Sequence, residues 1–429
     1  FIVFIVFIVF IVFIVFIVLY TYFTKYKYID FFNHFFNHFF NSDLFNQESN
    51  SLLLFIFIRN ILLMKYIDLR NKNLTSIPDN IDLDVEYLDV SFNSLSILPD
   101  NFERYQNLKI LFLSNNNFIK IPKIISTMKN LFMVSFRNNQ LVEIDYIPQN
   151  VEWLILTNNS INKIVKLGHL LNLRKLMLSG NMLESLPDDI IKCQKLELLR
   201  ISNNQFKEVP HCIFELNNLA WISMANNPCF PLPELNSGKE FINKKDIKYI
   251  ETIGEGTSGI VYSSIFKDKE VAVKKYKGKM TSDGFSTNEM YILSSIKSHI
   301  NLIEVLGYLY GENEDDIEGI IMPLFKEYKQ VGLPPTFETI TRDFYENKIN
   351  DPGYIMEQIE NVVTHLHKNN TIHGDLYAHN IIYNTYKKHS VLTDFGASFV
   401  VTDKDLLDKF IKIENRALNI FKTELLKMI

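Results

Sequence analysis

The sequence is poor in the residues that build cross-linked or metal-bound folds. Its 429 residues include only three cysteines, Cys193, Cys212 and Cys229, and no two of them form a CxxC pair. An odd number of widely spaced cysteines argues against a disulfide framework or a zinc site. The net charge is only −5, with basic and acidic residues interspersed. We therefore expect reduced thiols, and no basic surface predicts a nucleic-acid partner.

The first 63 residues contain no glycine, alanine, proline, cysteine or tryptophan. They hold 16 of the 35 phenylalanines and begin with the triplet FIV repeated six times. This composition is typical of AT-rich DNA read through, and the first methionine is Met64. We predict that residues 1–63 are a low-complexity leader, artefactual or disordered, with translation starting at Met64. The alternative is a membrane anchor at residues 1–18, because an apolar helix of that length nearly crosses a bilayer.

A repeat of the form LxLxxNxL follows the leader. Its asparagines are Asn93, Asn116, Asn139, Asn159, Asn181, Asn204 and Asn227. An earlier copy has Lys72 in the asparagine position, as is typical of a terminal unit. These motifs resemble the leucine-rich repeat family, which implies an α/β solenoid of about eight repeats over residues 64–235. We expect the asparagines to be structural, with side chains that satisfy backbone groups of neighbouring turns.

Each LxL motif predicts a short strand whose leucines point into the solenoid, so the flanking residues face the concave surface. The predicted concave row is Tyr66, Tyr87, Ile110, Met133, Trp153, Lys175, Leu198 and Trp221, with Phe112, Ile155 and Met177 beside it. Exposed aromatic and methionine side chains are typical of a protein-binding hot spot. We predict that a protein partner or substrate binds this face through Trp153, Trp221, Phe112, Met133 and Ile155. The alternative is a scatter of surface hydrophobic side chains.

A glycine-rich segment and a lysine follow the repeats. Gly254, Gly256 and Gly259 lie in IGEGTSGIVY, where positions without side chains let backbone N–H groups approach phosphate oxygens closely. Lys274, in VAVKK, lies on a predicted strand. An ammonium there can reach the phosphates of a nucleotide held under the glycine loop. Glu289, on a predicted helix, is the expected ion-pair partner of this lysine.

Two later motifs supply further polar residues. IHGDLYAHNII contains Asp375 and Asn380, and LTDFGAS contains Asp394. Two carboxylates and an amide suit magnesium and hydroxyl chemistry. In their order and spacing, the glycine loop, strand lysine, helix glutamate, HxD…N loop and DFG resemble the protein-kinase family. The resemblance implies an α+β two-lobed protein-kinase-like domain over residues 247–429, after a polar linker at 236–246.

The resemblance also implies a role for each of these residues. Lys274 would hold the α- and β-phosphates of ATP, and Glu289 would orient it. Asp394 and Asn380 would bind Mg²⁺, and Asp375 would accept the proton of the substrate hydroxyl. The implied ATP-binding residues are Ile253, Gly254, Glu255, Gly256, Gly259, Val261, Ala272, Lys274, Glu289, Met322 and Leu324.

Departures from the family pattern leave alternatives open. Gly374 replaces the arginine that usually precedes Asp375, and Tyr377 stands where serine/threonine kinases usually have lysine. Only 33 residues follow Gly396, so we expect a C-lobe truncated after the activation segment and one helix. That helix would span IENRALNIFKTELL and carry Glu414 in place of the usual aspartate. His373 is expected to buttress the loop rather than transfer protons.

The sequence as a whole favours an ATP-dependent protein kinase with serine/threonine rather than tyrosine preference, and with the repeats as a protein-binding module in intracellular signalling. No apolar segment separates the repeats from the kinase-like domain, so both are expected on the cytoplasmic, ATP-containing side. Membrane attachment is not expected unless residues 1–18 are a real anchor. The alternatives are a pseudokinase scaffold that binds ATP without turnover and a small-molecule phosphotransferase, which the HGDL motif also resembles.

Overall fold

The computed structural model describes residues 65–235, 238–256, 258–312, 317–345, 349 and 352–428. The leader and the alternative membrane anchor predicted within residues 1–63 lie outside the described residues. From Tyr66 to Ile429 the chain forms one compact unit, in which the repeats pack directly against the kinase-like domain. No helix of the described ranges is both long and apolar enough to cross a membrane.

Over residues 65–235 the LxL motifs form a sheet of eight parallel strands. These strands are β1 (Tyr66–Asp68), β2 (Tyr87–Asp89), β3 (Ile110–Phe112), β4 (Met133–Ser135), β6 (Trp153–Ile155), β8 (Lys175–Met177), β9 (Leu198–Arg200) and β10 (Trp221–Ser223). Outside this sheet, β5 (Glu143–Ile144) pairs with β7 (Lys163–Ile164). The first residues of the eight strands stand side by side in register, from Tyr66 to Trp221. The row of residues predicted from the sequence is therefore confirmed.

The central residue of each strand points into the solenoid core. Leu88 on β2 and Leu111 on β3 are fully buried in it. On the other side of the core, 3-10 turns follow prolines of the repeats, for example Lys123–Thr127 after Pro122. Proline suits this position because its fixed φ enters the turn and it leaves no N–H to satisfy.

A ladder of asparagines joins each repeat to the preceding one. Asn116 accepts a hydrogen bond from the Leu95 N–H at 2.9 Å and donates to the carbonyls of Val90 at 3.0 Å and Leu113 at 3.2 Å. The same pattern recurs at Asn93, Asn139, Asn159, Asn181, Asn204 and Asn227. Because these bonds satisfy backbone groups that the turns leave unpaired, the predicted structural role is confirmed.

The kinase-like domain begins with a mixed sheet, six-stranded in the described residues. Its strands are β11 (Glu240–Asn243), β12 (Lys248–Glu255), β13 (Gly259–Phe266), β14 (Lys269–Tyr276), β15 (Gly307–Tyr310) and β16 (Ile317–Pro323), in the spatial order β11-β15-β16-β14-β13-β12. Helix α1 (Asn288–Ser295) follows β14. The linker predicted at 236–246 requires correction, because β11 lies within it and pairs in parallel with β15. Buried Ile242 anchors that strand in the core of the lobe.

The second lobe contains two α-helices in its described part. Helix α2 (Gly353–Lys368) buries an apolar face around Ile359. Helix α3 (Lys404–Leu426) begins after Asp403, whose carboxylate accepts a hydrogen bond from the N–H three residues later at 2.9 Å. The strands of this lobe are β17 (Lys329–Gln330), β18 (Thr371–Ile372), β19 (Ile381–Asn384), β20 (His389–Leu392) and β21 (Phe399–Val400).

The repeats and the second lobe share one hydrophobic core at the C-terminal end of the solenoid. The Phe410 ring on α3 lies 5.2 Å from the Phe214 ring and 5.7 Å from the Phe230 ring, measured between centroids. Arg416 on the same helix donates to two backbone carbonyls of the last repeat at 2.8 and 3.0 Å. Helix α3 therefore covers the end of the solenoid, whose core would otherwise be exposed.

Candidate active site

The glycine-rich segment forms the hairpin between β12 and β13. Gly254 on β12 stands opposite Val261 on β13, and the Gly256 N–H donates to the Gly259 carbonyl at 2.9 Å. A Cβ at Gly259 would lie 2.6 Å from the carbonyl oxygen of Lys275 on the neighbouring strand. The close approach of these strands therefore requires glycine at position 259.

One face of the sheet carries four of the predicted nucleotide-site residues. Lys274 on β14 stands opposite Val261 on β13, and Ala272 stands opposite Met322 on β16. Because side chains two residues apart on a strand share a face, these four side chains lie together. The remaining predicted lining residues are Ile253 and Glu255, which are exposed on β12, and Leu324, which follows β16.

Lys274 is the centre of an ion-pair cluster. Its Nζ lies 2.8 Å from Oε2 of Glu289 on α1 and 3.9 Å from Oδ1 of Asp394. Burial alone lowers the pKa of Lys274, but the carboxylates of Asp394 and Glu289 outweigh burial and raise it. The ammonium is therefore charged at neutral pH, as phosphate binding requires.

Asp394 follows β20 with a left-handed backbone, at a φ of 57°. Its Oδ1 accepts a hydrogen bond from the Gly396 N–H at 3.3 Å. Burial by itself raises the pKa of Asp394, but the Lys274 ammonium and the Gly396 N–H outweigh this effect and lower it. The side chain is 42% exposed. An ionised, accessible carboxylate is the ligand that a hard divalent cation prefers.

The loop between β18 and β19 brings Asp375 and Asn380 together. Nδ2 of Asn380 donates to Oδ2 of Asp375 at 2.9 Å and to the Asp375 carbonyl at 2.8 Å. Since both amide protons are engaged, the amide oxygen is the Asn380 atom available to a cation. His373 accepts the Asp375 N–H through Nδ1 at 3.2 Å, and its Nε2 lies 3.1 Å from the Thr393 carbonyl oxygen. This is the buttressing arrangement expected for His373.

Helix α3 anchors the backbone of the same loop. Glu414 accepts the Gly374 N–H at 2.8 Å, and its other carboxylate oxygen lies 2.7 Å from Nε2 of His367 on α2. The helix predicted over IENRALNIFKTELL is therefore confirmed, although it already begins at Lys404.

Arg200, on β9 of the repeats, is a site residue that we did not predict from the sequence. Its guanidinium forms an ion pair with Asp375, and its Nε lies 2.7 Å from Oδ1 of Asp283, in the loop before α1. A signal was available, because Arg200 continues in register the second concave row of Ile155 and Met177. That row predicts where the side chain points but not what it meets.

The predicted partner-binding residues do lie on the concave face, but the chain's own kinase-like domain contacts them. Trp221 is 1% exposed and Met133 is buried. The Phe337 ring lies 6.3 Å from both the Phe112 and the Trp153 rings. Ile155 packs on the core of the kinase-like domain. The expectation of a solvent-exposed surface is therefore wrong for Trp221 and Met133, which are buried, whereas Phe112, Trp153 and Ile155 are only partly buried.

Known protein families match both the repeats and the kinase-like domain. The protein kinase domain family matches residues 247–414, and leucine rich repeat families match residues 84–105, 107–128 and 171–228. The chain therefore carries leucine-rich repeats N-terminal to a protein kinase domain, as the motifs indicated.

The related proteins are similar over part of their length. Cyclin-dependent kinase 11 of Dictyostelium discoideum is 32% identical over 154 residues, which cover 35% of this chain and 40% of that protein. Serine/threonine-protein kinase PITSLRE of Drosophila melanogaster is 27% identical over 173 residues, which cover 39% of this chain and 17% of that protein. The chain thus spans two fifths or less of the length of these relatives. Among solved structures, an internalin from Listeria monocytogenes is 19% identical, with a TM-score of 0.34 over 39% of this chain and 49% of that chain.

Proposed function

We propose that the protein is an ATP-dependent protein kinase that transfers the γ-phosphate to a serine or threonine hydroxyl. The observation that carries the proposal is the assembled cluster of Lys274, Glu289 and Asp394. The serine/threonine preference is supported by similarity to a serine/threonine-protein kinase of Drosophila melanogaster. The position of Tyr377, where such kinases usually have lysine, gives it no support.

The residues present fit ATP and a divalent cation, for which we propose Mg²⁺. Bound ATP supplies the phosphoryl group, and the cation neutralises charge on its phosphates. Lys274, fixed by Glu289, binds phosphate oxygens, while Asp394 and the amide oxygen of Asn380 hold the cation. Asp375 orients the acceptor hydroxyl and accepts its proton. Positioning and charge neutralisation, rather than a protein nucleophile, provide most of the acceleration.

The test is phosphate transfer from Mg·ATP to a serine/threonine-rich acceptor protein, with the purified chain as enzyme. Asp375→Asn and Lys274→Met should each lower the transfer rate by about 100- to 1,000-fold, because each removes a group that acts in the transition state. The matched control is Lys275→Met, whose side chain leaves the opposite face of the same strand. If wild type binds ATP but neither it nor Trp221→Ala, which opens the contact between the repeats and the kinase domain, transfers more phosphate than Asp375→Asn, the chain is a pseudokinase scaffold.

We further propose that the repeats are a protein-binding module and that the protein is a cytoplasmic signalling component. The compartment is supported by the need for ATP and by direct contact between the repeats and the kinase domain, which is expected of two regions on the same side of a membrane. The aromatic concave face supports a protein ligand. Any external partner has to compete there with the kinase domain, so its binding and phosphate transfer should affect each other.

A further inference from the structure

Strand β10, at the end of the concave face, contacts three residues of the catalytic loop. The Ile222 N–H of β10 donates to the Gly374 carbonyl at 3.0 Å. The indole N–H of Trp221 donates to the Leu376 carbonyl at 3.1 Å. The Trp221 ring also stacks on the Tyr377 ring at 4.2 Å, with planes only 6° apart. Strand β10 therefore covers the residues that come directly before and after the catalytic aspartate, Asp375, in the sequence.

Arg200 covers that aspartate itself. Its guanidinium contacts Oδ1 of Asp375, while Oδ2 of the same carboxylate accepts a hydrogen bond from Asn380. The arginine side chain is only 3% exposed, and its Nη1 also donates to the Gly374 carbonyl at 3.0 Å. Both oxygens of the proposed proton acceptor are thus occupied by donors from this chain. An incoming hydroxyl therefore has to compete with the arginine for Oδ1.

Gly374 permits this close approach. Its φ is 76°, and a Cβ there would collide with the Ile222 carbonyl oxygen. A side chain at this position would therefore keep β10 away from the catalytic loop. The glycine that departs from the kinase pattern is the residue against which the repeats pack.

A second polar cluster holds the same two surfaces together beside the loop. Both carboxylate oxygens of Glu197, next to β9, accept hydrogen bonds from Arg342 of the kinase domain at 2.9 Å. Arg174 of the repeats donates to the Thr341 hydroxyl at 2.7 Å. A bidentate arginine–carboxylate pair is geometrically specific, and here the Glu197 side chain is 13% and the Arg342 side chain 35% exposed. The contact thus has two polar anchors in addition to stacked rings.

The two sides of the active site differ in access. The Asp375 side chain, on the hydroxyl-accepting side, is 15% exposed, whereas Asp394, on the nucleotide side, is 42% exposed. We propose that the repeats inhibit the kinase domain of the same chain by occupying the protein-substrate side of its catalytic loop, with Arg200 in the place of the substrate hydroxyl. The nucleotide side stays accessible. This inference rests on the proposed kinase function.

The test compares phosphate transfer to a serine/threonine-rich acceptor protein by the full chain with wild-type sequence, Trp221→Ala or Arg200→Met. Trp221→Ala removes the stacked ring, and Arg200→Met removes the guanidinium that pairs with both Asp283 and Asp375. Each should raise the transfer rate by about tenfold or more while the KM for ATP changes by less than about twofold. Arg104→Ala is the matched control, because its hydrogen bonds stay within the repeats.

The outcomes separate this inference from the kinase proposal. The proposed inhibition is overturned if Trp221→Ala and Arg200→Met both transfer phosphate no faster than wild type while their melting temperatures stay near that of wild type. If no variant transfers more than Asp375→Asn, the kinase proposal fails instead. In that case, amide hydrogen exchange at residues 374–377 tests whether the repeats cover the catalytic loop. Faster exchange in Trp221→Ala and Arg200→Met than in wild type supports the contact, and unchanged exchange in both variants overturns it. If Trp221→Ala does not fold, Arg200→Met alone decides.

Discussion

The repeats and the kinase domain hold their polar side chains in different ways. In the repeats, Asn116 bonds backbone groups 21 and 26 residues away, and every ladder asparagine repeats that geometry. In the active site, Arg200 meets Asp375 across 175 residues, and nothing repeats. The asparagine ladder follows from the repeat period of the sequence. The pairing of Arg200 with Asp375 has no such local pattern and depends on how distant parts of the chain fold together. The comparison shows that the two regions differ in kind yet share one core.

The largest expected effect tests whether that shared core makes the two regions interdependent. Phe410→Ala removes a ring that packs on Phe214 and Phe230 of the repeats and on Phe399 of the kinase domain. We expect a loss of about 3–5 kcal/mol in the free energy of unfolding, because a large cavity opens in a fully buried site. The measurement is urea unfolding followed by tryptophan fluorescence, which reports on the repeats because both tryptophans lie there.

The matched control for that change is Phe102→Ala, which removes a buried ring that packs edge-to-face on Tyr105 within the repeats. Both variants should destabilise the repeats by a similar amount, but only Phe410→Ala should also lower ATP affinity at temperatures below unfolding. Equal ATP affinity in the two variants would show that the shared core does not couple the regions.

Periodicity explains how much could be predicted from the sequence. The register from Tyr66 to Trp221, the buried leucines and the asparagine ladder all follow from a repeat whose units contact only their neighbours. The cluster at Lys274 was predictable through motif resemblance rather than periodicity. The burial of Trp221 by the kinase domain and the ion pair of Arg200 could not be predicted, because no local sequence pattern indicates which distant surface packs on an apolar face. The strand at Glu240–Asn243 was missed because three of its four residues are not fully buried.

The asparagine ladder offers the next largest effect. Asn116→Ala leaves the Leu95 N–H without its partner, whereas the Val90 and Leu113 carbonyls keep hydrogen bonds from Asn93 and Asn139. One unsatisfied buried backbone N–H costs about 1–3 kcal/mol, so we expect a loss within that range in unfolding free energy. Asn93→Ala, at the half-buried first ladder position, should cost less. Equal losses at the two positions in chemical denaturation would contradict the dependence on burial.

A smaller effect concerns Lys175, which belongs to the repeats but is buried beneath the kinase domain. Its Nζ lies 4.0 Å from the centre of the Trp153 ring. Burial, and after it the positive charge of Arg200, lowers the pKa of Lys175 to about 7, although Asp375 and Asp343 oppose the shift. Between pH 7 and the ordinary lysine pKa, the unfolded state therefore binds more protons than the folded state.

That difference fixes the sign of a pH dependence. The free energy of unfolding should rise with pH above 7, with a contribution from Lys175 that approaches about 1.4 kcal/mol per pH unit. Lys175→Met keeps the volume and removes the proton, so its unfolding free energy should rise less steeply between pH 7 and 8.5. The range stops there because burial raises the pKa of Cys193 to about 11, which acts in the opposite direction at higher pH. Parallel curves for the two proteins would show that Lys175 is not buried in solution.

The smallest expected effect compares two ion pairs within the kinase domain, each with a closest approach of 2.7 Å. The Lys267–Glu240 pair is 63% and 52% exposed, whereas the Lys244–Glu318 pair is 34% and 22% exposed. A hydrogen bond from Lys244 lowers the pKa of Glu318. Water and salt screen the first pair, so Lys267→Ala should cost less than about 0.5 kcal/mol and less still in 1 M NaCl. Lys244→Ala should cost up to about 1 kcal/mol and should lose less of that in salt. Equal costs and equal salt dependence in urea titrations would show that distance, rather than burial, sets the strength of such pairs here.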